Sequence, residues 1–125
     1  MTAARLSFFK LLVRDLATTQ RFYETALGFT VHDRFDTPDF EEVLLRQEGS
    51  DLMLVLLHYT DGRAIPAADT HGRTGFVTDD IIATHAALVA AGGRPKGEVM
   101  EVQGIKVAFL DDPDGHEIEL VQFPS

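Results

Sequence analysis

An apolar run over residues 6–13 breaks at Arg14-Asp15. From there the apolar positions Leu16, Phe22, Tyr23 and Leu27 recur at helical spacing until Gly28. The same order returns later in the chain. Phe76, Val77 and Thr78 run into Asp79-Asp80, and residues 81–91 place Ile81, Ile82, His85, Leu88 and Val89 on one predicted helical side before Gly92-Gly93. The pattern predicts helices capped by Asp15 and Asp79, whose short carboxylates accept unpaired amide hydrogens, and closed by Gly28 and Gly92 in the left-handed conformation. The spacing from capping Asp to closing Gly is the same in both halves, which marks an internal repeat.

After each helix the period shortens to two or to brief apolar runs. Strands are predicted over residues 29–35, 40–47 and 51–59 in the first half, and over 97–102, 105–111 and 117–123 in the second. Asp36-Thr37-Pro38-Asp39, Gly49-Ser50 and Asp112-Pro113-Asp114-Gly115 supply the turns, with Pro presetting φ and Gly tolerating a positive one. Each half reads βαβββ, so the expected fold is a single α+β domain. Module one covers about residues 4–59, a linker with Gly62 and Pro66 about 60–70, and module two about 71–125.

Composition narrows the functional classes. A chain of 125 residues, 45% hydrophobic and 25% charged, has the makeup of an ordinary globular domain. It has no cysteine, which removes disulfides, thiolate metal sites and thiol nucleophiles. The stretch Met1 to Lys10 lacks the apolar centre of a signal peptide, and no apolar run approaches the about 18 residues of a membrane span, so a cytoplasmic protein is expected. The net charge of −9 repels nucleic acid. The same charge attracts cationic ligands, although acidic surfaces also serve solubility alone.

Several segments carry a family resemblance: Val13-Arg14-Asp15-Leu16, Arg21-Phe22-Tyr23-Glu24, Leu27-Gly28-Phe29, Asp112-Pro113-Asp114-Gly115 and Ile118-Glu119-Leu120. In register with the duplicated βαβββ pattern, they resemble the vicinal oxygen chelate superfamily over nearly the whole chain. That superfamily includes glyoxalase I, extradiol dioxygenases, fosfomycin-resistance enzymes and bleomycin-resistance proteins. The resemblance implies two modules curling an eight-stranded mixed sheet around a cleft, usually in a homodimer, with a divalent metal held from four strands.

Carried over residue by residue, the implied metal positions fall on Phe8, Val55, Arg73 and Glu119. A divalent ion needs several converging lone pairs, and hydrocarbon side chains and a permanent cation supply none. Only Glu119 matches a ligand, so no metal or other cofactor is expected. A noncanonical metal site would draw on His71 with Glu119. Against that reading, His71 belongs to the linker, and His58 and His116 are expected at strand ends near solvent. His32 and His85 are expected to be ordinary, partly exposed residues.

Two apolar groups, one cation and one carboxylate describe a ligand pocket more readily than a metal centre. Phe8 offers a face for a planar ring, and Lys10, on the same strand face, adds a charge. Arg73 and Glu119 either pair with each other or contact the ligand. The expected function is metal-independent binding of a small molecule, with Phe8, Lys10, Val55, Arg73 and Glu119 as ligand-binding residues. The bleomycin-resistance branch then implies sequestration of a toxic or antibiotic-like natural product, aromatic or cationic, in the cleft of a dimer. The alternative is a glyoxalase-like lyase or isomerase, working either through the noncanonical metal site or by a metal-free acid/base mechanism with Glu119 as catalytic general base and Arg73 stabilising an oxyanion. A third possibility is a member of the fold with no dedicated ligand.

Overall fold

The computed structural model describes residues 4–125; the first three residues of the Met1 to Lys10 stretch lie outside them. The first module contains β1 (Phe8–Leu12), α1 (Leu16–Leu27), β2 (Thr30–Asp36), β3 (Phe40–Arg46) and β4 (Met53–Tyr59). A single 3-10 turn (Ala68–Thr70) precedes the second module, which contains β5 (Thr74–Val77), α2 (Ile81–Ala90), β6 (Arg94–Pro95), β7 (Met100–Val102), β8 (Ile105–Asp111) and β9 (Glu117–Gln122). The first sheet has the order β1-β4-β3-β2, and the second β5-β9-β8-β6 with β7 also on β8. In each, the opening strand runs parallel to the module's last strand and the other pairings are antiparallel.

The strand predicted over residues 97–102 forms only at Met100–Val102, as β7, and the short β6 at Arg94–Pro95 precedes the predicted range, giving nine strands among the described residues where eight were expected. The ladder on β8 continues one residue past β6, with Lys96 N donating to the Phe109 carbonyl at 2.9 Å, and then Gly97 adopts φ +97°, which turns the chain out of the sheet. The second cap also shifts. Asp80, not Asp79, caps α2, its carboxylate accepting from Ala83 N at 3.1 Å. Its own N–H is held by the Thr78 hydroxyl, which fixes the choice between the adjacent aspartates. The first helix follows expectation, with Asp15 accepting from Thr18 N and Gly28 closing at φ +70°. The expected apolar side of α2 is only partly buried. Ile81 and Leu88 are enclosed, whereas Ile82, about 100° round the helix, is 63% exposed.

The helices pack beside each other over one core that both modules build. Leu11, Val13, Phe22, Tyr23, Leu45 and Leu56 meet Ile81, Leu88, Leu110 and Leu120. Each fully buried side chain of this size contributes roughly 1.5–3 kcal/mol. Edge-to-face contacts run from Phe22 to Tyr23 (5.0 Å), on to Phe29 (5.8 Å), and across the module boundary to Phe76 (6.2 Å).

A polar latch crosses the same boundary. Asp112 opens the turn before β9, and one of its carboxylate oxygens accepts from the backbone N–H groups of Asp114, Gly115 and His116, each at 2.9 Å. The other oxygen accepts from the Tyr23 hydroxyl at 2.8 Å and lies 2.9 Å from His116 Nδ1. His116 Nε2 lies 2.9 Å from the backbone carbonyl of Leu12 in β1. His116 was expected near solvent, yet it is 0% exposed. Its position after the positive-φ Gly115 turns the ring into the seam between modules. With Asp112 ionised, both ring nitrogens face acceptors, an arrangement that favours the doubly protonated imidazolium. Burial pushes the His116 pKa down, but the Asp112 hydrogen bond and charge, with the Leu12 carbonyl, outweigh it and hold the pKa above its ordinary value. Burial likewise pushes Asp112 up, and His116 more than reverses the effect. Asp114 completes the latch by accepting from Arg14 N at 3.0 Å, while the Arg14 guanidinium donates to the carbonyl of Pro66 at 2.8 Å in the linker.

Candidate functional site

Strand alternation sorts the candidate residues between the two faces of each sheet. In β1, Leu11 turns toward the core, so Phe8 and Lys10 take the other face. Lys10 stands level with Val55 of β4, and Phe8 with Met53. Phe8 is 47% exposed and Val55 only 1%. Lys10 Nζ lies 2.7 Å from Glu42 Oε2 and 5.9 Å from the centroid of the Phe8 ring. Glu42, on β3, was not among the predicted residues. Its signal was available in the strand pattern, where a carboxylate alternates with Phe40 and Leu44 on a largely apolar face.

The second sheet carries the other candidates. The parallel register places Gly75 level with Glu119, which puts Arg73 one step back, beside Glu117. The Arg73 Nε–Glu117 Oε1 distance is 2.6 Å, and the guanidinium lies 4.7 Å from the Phe109 ring centroid. The intramolecular pair open to Arg73 is therefore with Glu117, not with Glu119 as the sequence suggested. Lys96 binds the second oxygen of Glu117 at 2.8 Å and approaches Asp111 at 3.6 Å. The Lys96 and Arg73 hydrogen bonds hold the Glu117 carboxyl below its usual range. Glu119 has no hydrogen-bond or ion-pair partner among the described residues.

The histidines lie elsewhere. His71 follows the 3-10 turn, and its ring centroid is 5.2 Å from that of His116. Burial, then the His116 charge, lowers its pKa, and its Nε2 has no partner. His58 Nδ1 is 2.9 Å from the Val13 carbonyl, so this half-buried ring serves the chain after β1. His32 is exposed beside Arg46, and His85 is half-buried.

The family's metal can be tested against these side chains by their chemistry. Phe8 and Val55 have no lone pair to give, and Arg73 is a permanent cation engaged with Glu117. Among the described residues, no three His, Asp or Glu side chains are grouped to hold an ion. The residues do not fit a divalent metal at the family's positions. Nor do the four candidates share one cavity within the chain. Phe8 and Val55 lie on the first sheet, Arg73 and Glu119 on or beside the second. A cavity of about 290 Å³ between the modules is lined by Phe9, Phe29, Leu54, Arg73, Thr74 and Phe76 among others, and of the four candidates it includes Arg73 alone.

Comparison with known proteins agrees with this architecture. The chain is 30% identical over 118 residues to a lactoylglutathione lyase from Haemophilus influenzae, covering 90% of this chain and 87% of that protein. TnmS3, an antibiotic binding protein from Streptomyces sp. CB03234, superposes with a TM-score of 0.78 at 26% identity, covering 100% of this chain and 99% of that one. A glyoxalase I mutant from Zea mays superposes with a TM-score of 0.79 at 26% identity over 92% of this chain, which spans only 44% of the maize protein. No described helix is long and apolar enough to cross a membrane. Residues 5–120 match the sequence model of the Glyoxalase/Bleomycin resistance protein/Dioxygenase superfamily, and the chain belongs to that family.

Proposed function

We propose that the chain is a metal-independent binding protein that sequesters a small aromatic, antibiotic-like molecule. The observation that carries this reading is the chemistry at the family's metal positions. Two are hydrocarbon, and the third is a guanidinium whose charge Glu117 already balances. Apolar surface with a few oriented polar groups is the usual makeup of a small-molecule site. The likeness to an antibiotic binding protein over the full length of both chains supports the same class.

The binding cleft is completed by a second copy of the chain. Phe8 and Val77, on the first and second sheets, remain exposed, and β1 and β5 are each an unpaired edge of their sheet. A homodimer is the expected species in light scattering, and the protein acts in the cytoplasm.

The test uses acridine, a neutral three-ring aromatic at neutral pH, in equilibrium dialysis with the full chain. Saturable binding of one acridine per chain, unchanged by EDTA, is expected. The competing reading is a lyase like the Haemophilus influenzae relative, favoured by identity over most of both chains. Chelator-sensitive formation of lactoylglutathione from methylglyoxal and glutathione, without saturable acridine binding, would establish that reading instead.

A further inference from the structure

The open face of the second sheet is arranged in three rows, fixed by strand register. Arg73, Glu117 and Asp111 form a charged row; Gly75, Glu119 and Phe109 the next; Val77, Val121 and Val107 an apolar row beyond. In the charged row the cations are matched, since Arg73 and Lys96 share Glu117 and Lys96 also approaches Asp111. On the first sheet, Lys10 is matched by Glu42. The middle row is different. Glu119 is half-buried and has no partner among the described residues. It has the Phe109 ring on one side and, on the other, a residue without a side chain. A Cβ added at Gly75 would meet no atom within 4 Å, so the space beside the carboxylate is open.

We propose that Glu119 anchors a cationic group of the bound ligand in the notch left by Gly75, making the ligand class an aromatic amine, amidine or guanidine. The proposal rests on the small-molecule-binding reading above and adds the sign of the ligand's charge. A half-buried carboxylate beside an aromatic ring and an open notch offers an unpaired acceptor that a ligand cation can engage with less competition from water than at a fully exposed site. Arg73 pairs with Glu117 and stacks on Phe109, the cross-strand neighbour of Glu119, but makes no ion pair with Glu119 itself. The aromatic body of the ligand lies along Phe109 and the valine row, which includes the exposed Val77. The net charge of −9 draws such a cation toward the protein at long range.

Three probes of one ring system separate the charge from the ring: 9-aminoacridine, cationic at neutral pH; acridine, neutral; and acridine-9-carboxylate, anionic. Each is measured by equilibrium dialysis against the full chain in EDTA. The expected order is cation, neutral, anion, with 9-aminoacridine about tenfold tighter than acridine. Glu119→Gln, near-isosteric and with its folding checked by thermal melt, is expected to bring that ratio close to one. Gly75→Leu, at a position without positive φ, is expected to weaken 9-aminoacridine more than acridine. Equal affinities in the parent chain, or an undiminished ratio in Glu119→Gln, would overturn the proposal while leaving aromatic binding intact. If no probe binds saturably, the binding reading itself fails.

Discussion

Replacing His116 with alanine is expected to lower the stability of the fold by about 3–5 kcal/mol, the usual cost of removing one member of a buried charge pair. Asp112 and His116 are both 0% exposed, so no solvent shields the carboxylate that remains. Asp112 would keep three backbone donors and the Tyr23 hydroxyl, which places the loss toward the lower end of that range. The Leu12 carbonyl would lose its donor, and a cavity would open where β1 meets the second module. Urea unfolding reads the change as a lower midpoint at unchanged slope. A loss under about 1 kcal/mol, the scale of a neutral hydrogen bond, would show that the ring is not a buried cation.

The same group contributes to the loss of stability at alkaline pH. His116 has a folded pKa above its ordinary value of 6.5, so its contribution is complete below that value and is lost as pH rises through the folded pKa. Asp112 acts in the opposite sense. Its folded pKa lies below 3.8, and its contribution is lost as pH falls through that lower value. His71, facing His116, has a lowered pKa, so it costs the fold stability at acid pH and that cost disappears as pH rises to its ordinary 6.5, opposing part of the His116 profile on the acid side. Tyr23 is raised well above 10.0 by burial and by Asp112, so alkaline loss at pH values below 10.0 does not come from its ionisation. Unfolding free energy measured across pH is therefore expected to fall on the alkaline side in the parent chain. The difference between the parent and His116→Gln should shrink there toward zero. A difference that is flat with pH would mean that His116 is neutral in the fold.

Much of the architecture was legible because it rests on local chemistry. The Asp15 cap, the Gly28 close and the strand Ile105–Asp111 follow from residue types that satisfy or end a backbone pattern without tertiary help. What failed to be legible depended on register or on the other module. Asp79 and Asp80 are equivalent as sequence, and a Thr78 hydrogen bond decides between them. Arg73 meets Glu117 because β5 and β9 align Gly75 with Glu119, a pairing no single-strand pattern contains. His116 was read as a strand-end residue, although an aspartate four positions earlier in the Asp-Pro-Asp-Gly turn was a signal that its ring folds back on that carboxylate. The acceptor for its other nitrogen, at Leu12, lies 104 residues away.

The candidate ligand positions divide in the same way. The hydrocarbon character of Phe8 and Val55 and the cation of Arg73 are sequence facts, and they carry the argument against a metal at those positions. The ion pairs that neutralise Lys10 and Arg73 are tertiary facts, and they single out Glu119 as the carboxylate left for a ligand.

Ligand binding without a metal is put to the test by calorimetric titration of chelator-treated, untagged protein with nickel, zinc, manganese and iron(II). No stoichiometric heat is expected with any of the four, and acridine binding is expected to be the same in their presence and absence. Tight one-to-one binding of any of these ions, accompanied by a change in acridine affinity or by lactoylglutathione formation, would contradict it.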